Sequence, residues 1–155
     1  MTASKQPKHL RKAMAKQAEQ RGDLYAAACP SRGVLDHVTS RWGVLVLVAL
    51  LEGTHRFSEL RRKVAGVSEK MLAQTLHALE EDGFVVREVF PVIPPRVDYS
   101  LTPLGEEVAG HIEALTDWIE DSMPRIFAAR AQHASRKSAS ESGKEGRAGR
   151  RAPTV

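Results

Sequence analysis

Residues 56–101, RFSELRRKVAGVSEKMLAQTLHALEEDGFVVREVFPVIPPRVDYSL, carry the most informative pattern in the chain. The stretch FSELRRKV is a short helical segment, with Ser58 as a candidate N-cap, or Phe57 docking just before it, and Gly66 as the break after it. A second helix starts at Ser68, whose hydroxyl suits the free amides of a first turn. Leu72, Thr75, Leu76 and Leu79 recur at helical spacing, with Met71 at the edge, and Gly83 supplies the stop. From Phe84 to Phe90 the period changes to two: Val85, Arg87 and Val89 alternate with Val86, Glu88 and Phe90. The proline-rich loop Pro91–Pro95 follows, and alternation resumes from Arg96 to Leu101 with Val97, Tyr99 and Leu101 on one face. Two alternating runs around a short loop form a hairpin.

Before this stretch, apolar residues at 34, 35, 38, 42, 45, 46, 49 and 50 define a wide helical face from Val34 to Leu51, closed by Gly53. After it, Thr102-Pro103 reads as a cap followed by proline at the first helical position. That last helix is expected to run to Met123, because proline at 124 makes continuation costly. Helix, helix, helix, hairpin, helix is the winged helix-turn-helix plan: mainly α, with a β-hairpin wing and a C-terminal dimerisation helix. Residues 1–24 read as a basic extension with a thin helical stripe, 25–125 as the folded domain, and 126–155 as a disordered basic tail.

Charge is distributed unevenly. Residues 1–24 carry a net +4 and residues 130–155 a net +5, whereas 25–129 carry −5. The overall +4 therefore comes from the ends and is weak support for DNA binding. The basic residues inside the body matter more. Within 56–70, Arg56, Arg61, Arg62, Lys63 and Lys70 outnumber Glu59 and Glu69. Arg61 and Arg62 fit phosphate contacts; the alternative is an ordinary charged face with Glu59 paired to Lys63. On the helix from Ser68, Lys70, Ala73, Gln74 and His77 project opposite the leucines. Lysine suits guanine acceptors or phosphate, glutamine the adenine edge, and alanine a thymine methyl. The Ser68 end of the helix suits a phosphate. Arg96, presented by a stiff loop, suits the minor groove or its flanking phosphates, unless it pairs with Asp98 or Glu88. Helix 68–81 in the major groove and wing 84–101 near the minor groove would therefore read double-stranded DNA.

Seven blocks in register carry a family resemblance: Cys29-Pro30, Arg41-Trp42, Arg56-Phe57-Ser58-Glu59-Leu60-Arg61, Gly66-Val67-Ser68-Glu69-Lys70-Met71-Leu72, Leu79-Glu80-Glu81-Asp82-Gly83, Pro94-Pro95-Arg96-Val97 and Tyr99-Ser100-Leu101-Thr102-Pro103-Leu104-Gly105. Over residues 29–120 the chain resembles the HxlR family of bacterial regulators, relatives of the MarR family. Ser40-Arg41 stands where that family usually has Gly-Lys, and Phe90 where Tyr is frequent. The resemblance implies a homodimeric, cytoplasmic, DNA-binding repressor or activator, with repression the first expectation, and no catalytic activity. It also implies a small-molecule or electrophile effector, with Cys29 as a candidate redox sensor aided by Arg32. Such a thiol has to be accessible; the alternative is a buried small apolar residue.

The remaining features narrow the choice. The acidic last helix would repel phosphate, and its apolar set (Leu104, Val108, Ile112, Leu115, Ile119, with Trp118 beside it) fits a dimer contact. One cysteine allows no internal disulfide and no structural zinc site, and the six histidines lack ligand spacing, so no metal or other cofactor is expected. The longest apolar run, Trp42 to Leu51, is too short to span a bilayer, and no apolar segment follows the basic N-terminus. No membrane partner and no signal peptide are therefore expected. The rival class is a winged helix kept as a protein-docking module, which would lack the log-salt dependence of DNA binding.

Overall fold

The computed structural model describes residues 22–148; expectations for the N-terminal extension before residue 22 and for residues 149–155 lie outside the described residues. The chain divides into two compact units, Met1–Ile112 and Glu113–Val155. The first contains α1 (Pro30–Thr39), α2 (Arg41–Leu51), β1 (His55–Arg56), α3 (Phe57–Lys63), α4 (Glu69–Glu81), β2 (Val85–Phe90), β3 (Arg96–Leu101) and the start of α5 (Pro103–Ala148). Its core gathers Val46, Leu47 and Leu50 of α2, Leu60 of α3, Leu72, Leu76 and Leu79 of α4, and Ala109 and Ile112 of α5. The winged helix-turn-helix expected from the sequence is present.

The expected single helix over 34–51 is two helices, bent by 69°. Ser40 causes the break. Its backbone is extended, its Oγ accepts from the Gly43 N–H at 3.0 Å, and the same hydroxyl donates to the His37 carbonyl at 3.0 Å. One residue thus caps the start of α2 and bonds back to the last turn of α1. Gly43 permits the approach: a Cβ there would lie 2.0 Å from the His37 oxygen. Apolar periodicity ran through this corner because both helices feed one core.

The sheet has three strands in the order β1-β3-β2, all antiparallel. The two-residue β1, which pairs His55 with Tyr99 and Arg56 with Asp98, is too short to show a period in the sequence. It places Arg56, and not Ser58, at the N-cap of α3, where the Arg56 N–H donates to the Glu59 carboxylate at 2.8 Å. Beyond α3, the turn passes through Gly66 at φ +89°, and Ser68 caps α4 by accepting from the Met71 N–H at 3.1 Å.

The end of α4 is a Schellman motif. The Phe84 N–H donates to the Leu79 carbonyl at 2.9 Å, the Gly83 N–H donates to Glu80 at 3.0 Å, and Gly83 has φ +80°. Thr102 then ties the following elements to this turn. Its N–H donates to the Phe84 carbonyl at 3.0 Å, its hydroxyl donates to Gly83 at 2.6 Å, and it accepts from the Gly105 N–H at 2.9 Å.

In the second unit the sequence expectation is corrected. Pro124 does not end α5, which continues to Ala148 through the segment expected to be a disordered tail. Proline costs one backbone bond, and the Glu120 carbonyl it deprives of a donor belongs to an exposed residue, open to water. The residues after it are mainly alanine, arginine, lysine and serine, many of them good helix formers.

Candidate nucleic-acid interface

Helix α4 is held from one side. Leu72, Leu76 and Leu79 are fully buried, whereas Lys70, Ala73, Gln74 and His77 are exposed on the opposite face. The side chains of Lys70, Ala73 and Gln74 take no part in capping or ion pairing among the described residues, so this polar face is open. His77 lies 3.3 Å from Glu81 in an exposed i,i+4 pair. Ser68 spends its side-chain acceptor on the cap, which leaves the exposed start of α4 ordered.

The basic cluster around α3 is partly paired. Arg61 donates to the Glu69 carboxylate at 2.7 Å, which ties α3 to the first turn of α4. Lys63 pairs with Glu52 of the preceding segment, not with Glu59, whose carboxylate is engaged at the N-cap of α3. The Glu52 carboxyl is held below its usual range by the hydrogen bond and charge of Lys63. Arg62 is exposed and has no ion pair among the described residues.

Arg96 does not stand alone at the wing tip. It opens β3 opposite Phe90, with its guanidinium 5.1 Å from that ring. Its Nε and Nη2 donate to both oxygens of Asp98, at 2.8 and 2.5 Å. Asp98 is buried, and the hydrogen bond from Arg96 holds its carboxyl below the usual range against the opposing effect of burial. The pairing alternative for Arg96 is therefore realised. The pair fixes the guanidinium at the tip end of the hairpin ladder, and the loop beyond it carries the exposed Val92 and Ile93.

Two concavities flank α3. One, of about 560 Å³, is lined by Arg56, Ser58, Arg87, Arg96 and the Phe57 and Tyr99 rings beneath the Pro94-Pro95 segment. The other, of about 490 Å³, is lined by Phe57, Ser58, Arg61, Arg62, Val67 and Glu69. Phe57 and Ser58 belong to both, so the grooves adjoin along the start of α3. Sequence reasoning counted Arg56 in the basic cluster without singling it out, left Arg87 ambiguous, and did not place Ser58 on this surface. The signal available was the basic count around 56–63, but the short strand that turns Arg56 toward the wing gave none. Cys29 lies elsewhere, at the N-cap of α1, and is buried at 9 % exposure. Among the described residues no group of His, Cys, Asp and Glu could hold a metal ion, and no single helix is long and apolar enough to cross a membrane.

Comparison with known proteins agrees with this geometry. The profile of the HxlR-like helix-turn-helix family matches residues 37–127. The uncharacterized HTH-type transcriptional regulator YtfH of Escherichia coli (strain K12) is 65% identical over 114 residues, covering 74% of this chain and 90% of the relative. A solved structure assigned as the transcriptional regulator ytfH from Salmonella typhimurium superposes with a TM-score of 0.70 at 65% identity, over 72% of this chain and 99% of that one. The redox regulator HypR in its oxidized form matches with a TM-score of 0.55 at 34% identity, over 60% of this chain and 96% of that one.

Proposed function

The chain belongs to the HxlR-like helix-turn-helix family, whose members here are transcriptional regulators and not enzymes, and on that premise we propose that it is a homodimeric, sequence-specific repressor acting on double-stranded DNA in the cytoplasm. In this reading α4 enters the major groove, with Lys70 and Gln74 at base edges and Ala73 allowing close approach. Ser68, Arg61 and Arg62 meet the backbone and set the register, whereas Arg96, tied to Asp98, positions the wing beside it. Arg56 and Arg87 extend that contact along the groove under the wing. The observation that carries the reading is the open polar face of α4, opposite three buried leucines and fixed at both ends by caps.

The test is fluorescence anisotropy of the full chain on DNA from its own upstream region and on a scrambled duplex, across a salt series. A preference of at least ~100-fold for the upstream DNA is expected. Gln74→Ala should cost about 1–3 kcal/mol on the preferred site and little on the scrambled one. Equal binding to both duplexes would sink the assignment and favour a protein-docking module.

A second reading adds control by a small electrophile at Cys29, and the likeness to HypR favours it. Burial of the thiol means that reaction requires α1 to open locally. If Cys29→Ser leaves the DNA-binding response to diamide unchanged, the sensor role is lost.

A further inference from the structure

The second unit carries a feature that the winged helix does not use. Residues 113–121 contain Glu113, Asp117, Glu120 and Asp121 and no lysine or arginine, whereas 125–143 contain Arg125, Arg130, Arg136 and Lys137 against Glu141 alone. The sign of the helix changes at Pro124. Each residue of an α-helix advances about 100° around the axis, so these four cations and His133 fall within an arc of about 140°. The other side carries the exposed Phe127 just after Pro124 and then small residues, among them Ala131, Ala134, Ser135, Ser138 and Ser142, with Gln132 and Glu141 at its edges. Every residue from 128 to 143 is exposed. Ser135, Ser138, Ser140 and Ser142 turn their hydroxyls back onto carbonyls of their own helix, so the outward polar groups are chiefly the cations. Among the described residues, Arg130, Arg136 and Lys137 form no ion pair.

We propose that this part of α5 is a sequence-independent DNA-backbone arm, which grips phosphates outside the site read by α4. The inference rests on the DNA-binding reading above and deepens it. Charge complementarity selects a polyanion. A side that holds one large apolar residue, Phe127, and otherwise small ones argues against a lipid surface, because an interfacial helix needs a row of large apolar residues opposite its cations. Helix formation here lacks an apolar face to bury, so neutralising the cation arc also stabilises the helix.

The experiment compares the full chain with the combined variant Arg125→Gln, Arg130→Gln, Arg136→Gln and Lys137→Gln; glutamine keeps helix propensity, and circular dichroism checks the fold. Anisotropy is measured on the upstream and scrambled duplexes across a salt series. The variant is expected to bind scrambled DNA at least ~10-fold more weakly, and its log-log salt slope to fall by about 2 or more, at ~0.9 per phosphate released. The preference for upstream DNA should survive. A version with Lys at the three arginine positions should restore the slope, since phosphate requires only a point charge. Hydrogen exchange over 128–143 should slow when DNA is added to the wild type. An unchanged slope and unchanged affinity for scrambled DNA overturn the arm. So does charge-dependent binding to vesicles containing phosphatidylserine with an unchanged DNA slope, which would make the arm a membrane contact. Loss of sequence preference in the wild type itself would instead count against the reading of α4.

Discussion

At the scale of single residues, the pair between Arg96 and Asp98 has the clearest energetic signature. Hydrogen bonding to Arg96 is the main reason that the Asp98 carboxyl sits below its ordinary range in the folded chain, with the charges of Arg96 and Arg56 adding to it. A carboxyl with a depressed folded-state pKa stabilises the fold at pH above its unfolded value of about 3.9. That contribution disappears as pH falls from there through the lower folded-state value. The wild type should therefore lose stability more steeply below about pH 4 than Asp98→Asn, and urea unfolding at a series of pH values would show it. Parallel curves would mean that the pair contributes nothing to folding. The same pair shows what the sequence left open. Arg96 and Asp98 are two apart in a strand and so share a face, which made pairing one of two readings. The burial of Asp98 depends on β1, which cannot be seen in the sequence.

Elements were legible where a period ran for several turns and obscure where one side chain redirected the backbone. The core face of α4, the hairpin and the Thr102-Pro103 start of α5 stood out, because each combines a period with a cap or a turn residue. The bend at Ser40 did not, since serine inside an apolar run is compatible with either an exposed helical position or a cap. Its weight can be measured. Ser40→Ala removes the side-chain bonds to Gly43 and to His37. The expected cost is ~1–2 kcal/mol, which lowers the thermal midpoint by roughly 4–8 °C per kcal/mol in a domain of this size. Calorimetry on the purified variant checks this, and an unchanged midpoint would mean that core packing alone sets the corner. The continuation of α5 past Pro124 was missed for a different reason. A segment without large apolar residues gives no amphipathic period, and composition alone favoured disorder over an exposed helix.

For the molecule as a whole, the apolar stripe expected on α5 divides. Val108 and Ile112 pack with the core of the first unit. Leu115, Trp118 and Ile119 remain exposed in the second, at 49, 57 and 39 %. Such a stripe on an otherwise acidic helix is the surface through which the proposed dimer would close. Ile119→Glu combined with Trp118→Glu should halve the mass seen by sedimentation equilibrium. It should also weaken binding to the upstream DNA by roughly 100-fold or more, because the two half-sites would no longer be held together. A dimer that persists in this variant would place the interface elsewhere.

The open face of α4 has a further consequence. Lys70, Ala73 and Gln74 are neither buried nor engaged in caps, while the leucines behind them and the Gly83–Phe84–Thr102 knot hold the helix. On the proposed reading, foldability and address are written in different letters of the same thirteen-residue helix. On that reading, descendants of this chain could acquire new operators by exchanging three or four surface residues without destabilising the scaffold. A transplanted set of such residues from a relative should carry that relative's target choice with it.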